Sequence, residues 1–141
     1  MARRSVTIVV PMVPDAKLSP NSRVDRRYST AERSGFRAAA KLAAVSEIAR
    51  IPDRPVFSGP VRVYPVIAWS KGRRYLDGDN ALFVLKAMWD GFTDAGLWGD
   101  DRHCVFHPVA QERDGSGLGY VTVVIEELSG DDIIRGVARC S

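Results

Sequence analysis

The segment Lys71–Arg102, KGRRYLDGDNALFVLKAMWDGFTDAGLWGDDR, organises the rest of the chain. Two carboxylates at alternate positions, Asp77 and Asp79, open it, and a second acidic pair, Asp100 and Asp101, closes it after a glycine. Between them lies a helix-like stretch with Ala81, Leu85, Met88, Phe92 and Ala95 at the spacing of a buried stripe. Lys86 falls seven residues after Asp79, a rotation of roughly 700°, which returns to the same helix face, and Asp90 follows one turn later. One side therefore packs and the other is chemical or solvated. Asp79 is a favoured helix N-cap, and Gly96 suits the position just past the other end.

Crowded carboxylates repel, and one of them takes up a proton unless a cation neutralises the group. Magnesium is a hard cation that takes oxygen ligands, so a set of Asp residues without Cys or His suits it, with manganese as the substitute. A lysine near such an ion, with Lys71, Arg73 and Arg74 just upstream, points to a phosphate substrate. The plainer reading of Asp77-Gly78-Asp79 is a surface turn that caps a helix. If the chain is extended there, the two carboxylates project to one side and Gly78 leaves room for a close ligand.

The order Arg73-Arg74, Asp77-Gly78-Asp79-Asn80, Lys86, Asp90-Gly91, Ala95-Gly96 and Gly99-Asp100-Asp101 resembles the RusA family of Holliday junction resolvases. Upstream, Leu18-Ser19-Pro20-Asn21-Ser22-Arg23 is similar to that family's early Pro-Asn-Ser-Arg segment, so the resemblance spans roughly residues 5 to 126. Two departures stand out. Lys86 lies about one helical turn later than in the shorter family form, and Leu76 precedes Asp77 where some relatives have arginine, a role open to Arg73 or Arg74.

The resemblance implies a dimeric α+β fold, a small mixed or antiparallel sheet packed with two main helices. It implies a magnesium-dependent endodeoxyribonuclease that resolves four-way DNA junctions by paired symmetrical nicks in recombination and repair. On that reading Asp77, Asp79 and Asp101 hold the metal and Lys86 stabilises charge building on the phosphate. Asp90, Asp100 and Asn80 are supporting neighbours, and Arg23, Arg26, Arg27, Lys71, Arg73 and Arg74 contact DNA. The domain is expected over residues 1–128 with a tail over 129–141. The alternatives are a non-catalytic branched-DNA-binding module, or a metal-dependent phosphohydrolase acting on nucleotides or RNA.

Charge is divided along the chain. Residues 1–75 carry 15 Lys/Arg against 5 Asp/Glu, a balance of +10, and residues 76–141 carry 5 against 12, a balance of −7. A basic half can neutralise phosphates and release counterions, or the two halves simply pair with each other. With 45% hydrophobic and 26% charged residues the 141-residue chain reads as an ordinary globular domain. The apolar run Val6–Val10 is interrupted by Pro11 and Pro14, so it reads as a strand rather than a signal peptide. No run approaches the about 20 apolar residues that cross a bilayer, so no membrane partner is expected. Cys104 and Cys140 are too few for a disulfide scaffold. The expected compartment is a cytoplasm, bacterial or that of a host to a bacteriophage-encoded protein.

Elsewhere, residues 14–28 read as a basic loop, either gripping phosphate with Tyr28 stacking on a base or solvated with Tyr28 on the core. Ser29–Glu32 reads as a capping box opening a helix to about Arg50, with Phe36, Ala40, Ala43 and Ile48 apolar and Arg33, Arg37 and Lys41 on a basic ridge. Val61–Trp69 reads as a strand in which Pro65 argues for an edge or a bulge. Residues 102–113 and 119–128, joined by Asp114-Gly115-Ser116-Gly117, read as a hairpin. His103 and His107 are too few for a zinc site and are taken as strand residues. A continuous helix over 80–95 would be about 24 Å long, and residues 96–101 return at most about 17–18 Å. Either that helix breaks near Gly91, or Asp101 meets the Asp77–Asp79 pair of a partner subunit; the second is the expectation.

Overall fold

The computed structural model describes residues 4–15 and 26–128, with side chains in the first helix described from Thr30 onward. The described elements run β1 (Ser5–Val10), α1 (Arg26–Glu47), β2 (Val61–Trp69), α2 (Gly78–Val84), α3 (Lys86–Asp94), β3 (Cys104–Phe106), β4 (Ala110–Arg113) and β5 (Tyr120–Glu127). They form an α+β fold with one five-stranded mixed sheet. Arg23, with the Pro-Asn-Ser segment before it, and the tail over 129–141 lie outside the described residues, as do the side chains of Arg26 and Arg27.

Alternation decides the sheet. In β1 the buried positions are Val6, Ile8 and Val10, in β5 they are Val121, Val123 and Ile125, and in β2 they include Val61, Val63, Ile67 and Trp69. Residues two apart share a face, so each strand offers one apolar side. The helices supply its cover: Phe36, Ala40 and Ala44 from α1 with Ile48 just past its end, and Met88 and Phe92 from α3 with Leu85 just before it, are fully or almost fully buried. The other side of the sheet, with Ser5, Thr7, Arg62, Tyr64 and Thr122, is half-buried or exposed.

β2 is the hub. It pairs antiparallel with β5 along Val61–Ala68, and β5 pairs antiparallel with the edge strand β1. On its other side β2 pairs in parallel with β3 at Val61–Val63 and with β4 at Val66–Trp69. Pro65 sits in the gap between these two short ladders while still opposite Val123 of β5, so the edge-or-bulge expectation resolves as a stretch of a central strand unpaired on its β3/β4 side only. His107 closes the gap from one end, its N–H donating to the Val63 carbonyl at 2.9 Å.

Three expectations need correction. The glycine-rich turn after Arg113 does not make a hairpin, because β4 and β5 pair with opposite sides of β2. A turn signal specifies that the chain reverses, and here the reversal carries it over the end of β2. The Asp114 carboxylate holds that arch by accepting from Ser116 N–H at 2.9 Å and Gly119 N–H at 2.8 Å, and Asp114 N–H donates to the Trp69 carbonyl at 3.0 Å. The first helix begins at Arg26, so the supposed capping box at Ser29–Glu32 lies within its first turns, and it ends at Glu47. His103 and His107 flank β3 without belonging to it: His103 is in a 3₁₀ turn over Asp101–His103, and His107 stacks on Tyr64 with ring centroids 4.2 Å apart.

The helix expected over 80–95 is two helices. Leu85 (φ −87°, ψ −3°) ends α2 and precedes α3, so the break falls six residues before Gly91. Gly91 instead serves contact between helices: a Cβ there would lie 2.4 Å from the Arg37 carbonyl oxygen and 2.9 Å from the Ala40 Cβ. Only glycine lets α1 and α3 approach this closely. The predicted stripe survives the break, with Ala81, Leu85, Met88, Phe92 and Ala95 all buried. Gly96, at φ +84°, ends the helical run in the left-handed conformation that favours glycine.

Candidate functional site

The approach to the acidic block leaves the hub strand at Trp69 and is tied down by two β4 residues. Gln111 accepts from the Leu76 N–H at 2.8 Å, donates to the Leu76 carbonyl at 2.8 Å, and accepts from the Trp69 indole at 2.9 Å. One side chain thus satisfies both backbone groups of the residue before Asp77. Arg113 donates to the carbonyl oxygens of Ser70 and Arg73 and lies over the Tyr75 ring, 4.9 Å from its centroid. Neither residue carried a signal in the sequence, since an isolated Gln or Arg in a strand reads as an ordinary surface position. Between these anchors Lys71 and Arg74 are exposed and Arg73 is half-buried, which leaves a basic ribbon leading to Asp77.

Asp77, and not Asp79, occupies the N-cap of α2; its backbone carbonyl accepts from Ala81 N–H at 2.8 Å, and its carboxylate makes no capping hydrogen bond. Gly78 is already helical, so the extended-chain argument for a shared side does not apply to Asp77 and Asp79. Asp79 falls in the first turn, where the partial positive charge of the helix terminus favours an anion. Both carboxylates are exposed, and among the described residues neither has a hydrogen-bond or ion-pair partner. Asn80 follows, half-buried.

Lys86 opens α3 and gathers the far end of the block. Its Nζ donates to Asp101 Oδ2 at 2.9 Å and, one turn along the same face, to Asp90 Oδ1 at 3.1 Å. The Asp101 hydrogen bond is the main cause that lifts the Lys86 ammonium above the ordinary lysine range, with Asp90 adding to it. Lys86 is therefore a fixed cation at neutral pH and not a general base. The side chain remains 60% exposed, so the contacts aim it without burying it. Residues 96–101 were expected to keep Asp101 from Asp79 of its own chain; the helix breaks at Leu85, and the return from Gly96 brings Asp101 to Lys86 at the start of α3.

Asp100 caps the 3₁₀ turn. Its Oδ1 accepts from Arg102 N–H at 2.8 Å and Oδ2 pairs with Arg102 Nε at 3.0 Å. That backbone hydrogen bond is the main reason its carboxyl sits below the ordinary Asp range. One turn beyond Asp90, Asp94 forms a two-pronged pair with Arg37 of α1, Nε at 2.7 Å and Nη2 at 2.9 Å. The middle of the expected basic ridge is thus spent on an acid of the second half, while Arg33 and Lys41 remain exposed. Cys104, beside the turn, is buried, and burial pushes its thiol up, so it is no nucleophile.

The three carboxylates assigned to magnesium do not come together in one chain. Among the described residues no group of three His, Cys, Asp or Glu side chains is placed to hold a metal ion, and Asp101 is turned to Lys86. What is assembled is a lysine held by two acids, with an uncompensated acidic pair at the start of the preceding helix. Scanned against protein-family models the chain matches none, and no curated protein matches it in sequence.

Proposed function

We propose that this protein is a structure-specific endodeoxyribonuclease of the RusA type, acting as a homodimer on branched DNA such as four-way junctions. One observation carries the proposal: the 2.9 Å contact of Lys86 with Asp101. It joins the middle of the motif that resembles the family to its closing acidic pair, across the whole of α3 and 15 residues of chain. The basic ribbon of Lys71, Arg73 and Arg74 supplies phosphate contacts that are independent of sequence. No helix of the described residues is long and apolar enough to cross a membrane.

In this reading DNA phosphates dock along residues 71–74 and one comes to rest near Lys86. The ammonium, held by two carboxylates and protonated throughout the neutral range, stabilises charge as it builds on the phosphate oxygens. Asp77 and Asp79 lie at the other end of the acidic block with free carboxylates. Magnesium is part of the proposal: Asp77, Asp79 and Asp101 are the residues that would hold it, and the chemistry it would supply is an activated water. The three residues as they stand do not form that cage. Its test is direct: synthetic four-way, forked and linear DNA, each with and without magnesium. Expected are paired nicks in the four-way substrate only when the ion is present, and binding without cutting by Asp79→Asn. Equal cutting by Asp79→Asn removes the assignment.

The scattered carboxylates favour a second reading, a branched-DNA-binding module in which the acids serve as caps and ion-pair partners. It predicts junction binding indifferent to magnesium and no nicks under any condition.

A further inference from the structure

A second feature lies on the other side of Lys86. Between α1 and the α2–α3 corner is a cleft of about 360 Å³, within the range of small-ligand sites. Thr30, Arg33 and Ser34 line it from α1, Phe83 from α2, and Lys86 and Asp90 from α3. The lining is divided by chemistry. On the α1 side are two hydroxyls and a guanidinium, and facing them is an aromatic ring.

The charges are not equivalent. Asp90 is offset by Lys86 at 3.1 Å, and Arg37, which also borders the cleft, is spent on Asp94. Arg33 has no such partner among the described residues, so the cleft keeps one uncompensated cation. Phe83 is also unusual. Phe36, Phe92, Trp69, Trp89 and Trp98 are each at most 3% exposed, whereas Phe83 is 44% exposed. A phenyl ring left in water beside a free guanidinium and two hydroxyls suits a ligand that is flat and apolar at one end and anionic at the other.

We infer that the cleft receives one unpaired nucleotide of the DNA, its base stacked on Phe83 and its phosphate held by Arg33 with the Thr30 and Ser34 hydroxyls. The inference rests on the proposed nuclease reading and deepens it by naming what distinguishes branched from linear DNA. A paired base keeps both faces within the duplex stack and cannot reach a side chain. A base released at a fork or branch offers its π-face, and aromatic stacking accepts any base. Lys86 borders both the cleft and the acidic block, so a nucleotide held here sets which phosphate lies against the ammonium.

The test uses the full-length protein and fluorescence anisotropy on three DNAs: a fork with one single-stranded arm, a four-way junction and a fully paired linear duplex. Phe83→Ala is expected to weaken fork binding about ten-fold and to leave duplex binding unchanged. Phe83→Leu, which keeps apolar bulk, gives the same loss, and Phe83→Trp restores binding. Arg33→Gln weakens fork binding, leaves duplex binding unchanged, and lowers the slope of log K against log salt on the fork by about 0.7. If the parent binds forks and both ring-less variants bind them equally well, the cleft assignment is overturned while the nuclease reading stands. If the parent binds none of the DNAs, both are overturned.

Discussion

The two acidic pairs of this chain look alike in sequence and behave differently in the fold. Asp100 and Asp101 are satisfied from within: one caps a turn and pairs with Arg102, the other holds Lys86. Asp77 and Asp79 stand at the start of α2 with no partner among the described residues. A carboxylate already matched by its own chain positions something else. One left unmatched in the presence of a neighbouring like charge is available to a cation or a reacting group from outside. On the proposed reading Asp100 serves the turn, Asp77 and Asp79 are the carboxylates open to a cation, and Asp101 stands between the two roles as partner of Lys86 and proposed metal ligand.

The sharpest way to break that assignment is to neutralise one member of each pair. Asp77→Asn or Asp79→Asn is expected to lower junction cutting by 100-fold or more, on the order of a lost electrostatic contact in an active site. Asp100→Asn is expected to stay within about five-fold, because its hydrogen bond serves only the turn. A cleavage assay under single-turnover conditions separates the two, and equal losses would end the distinction.

Lys86→Met comes next. It should reduce cutting by roughly 100-fold while changing stability by no more than about 1 kcal/mol, because the ion pairs are largely exposed. Chemical denaturation read alongside the cleavage rate checks both halves. A large stability loss would make Lys86 structural, and the 2.9 Å contact would then no longer speak for function.

Gln111→Leu sharpens the comparison from the side of the scaffold. It removes two hydrogen bonds to Leu76 and one from Trp69, at about 1 kcal/mol each net, so a loss of about 2–3 kcal/mol is expected. Limited proteolysis should then open the chain between Lys71 and Asp79 first, with the sheet still protected. Cleavage starting elsewhere would mean that Gln111 does not tether the approach.

The smallest effect is in acid. Asp100 and Asp114 both have carboxyls held below the ordinary Asp value, Asp100 chiefly by the Arg102 N–H and Asp114 chiefly by the Ser116 hydroxyl. A lowered folded-state pKa contributes stability that is present above the unfolded value, about 3.9, and is lost as pH falls through the folded one. The melting temperature should therefore fall with acid below about pH 4, and Asp114→Asn should make that fall shallower. An unchanged profile in the variant would show that the arch over β2 contributes nothing to acid sensitivity.

Much of this was legible in the chain. The strand Val61–Trp69 was readable to its ends because its inward positions alternate without a gap and Pro60 closes it. The stripe from Ala81 to Ala95 and the role of Gly96 followed from helical spacing and backbone chemistry. The Lys86–Asp90 pair followed from a one-turn separation. The break at Leu85 was not legible, since its neighbours carry neither proline nor a capping pattern, and the apolar stripe runs through it unchanged. Gln111 was invisible for a related reason: its partners lie 35 and 42 residues away.

The order of residues alone settles each element's apolar face, the opposition of a basic first half to an acidic second half, and the presence of two acidic pairs around one lysine. These are matters of period and composition, which neighbours along the chain express without help. Which strand flanks β2, where the helix turns, and which acidic pair is matched by its own chain depend on groups far apart in sequence meeting at hydrogen-bond distance. That choice is made by the shared burial of Trp69, Leu85, Phe92 and their neighbours in one core, and no local pattern encodes it.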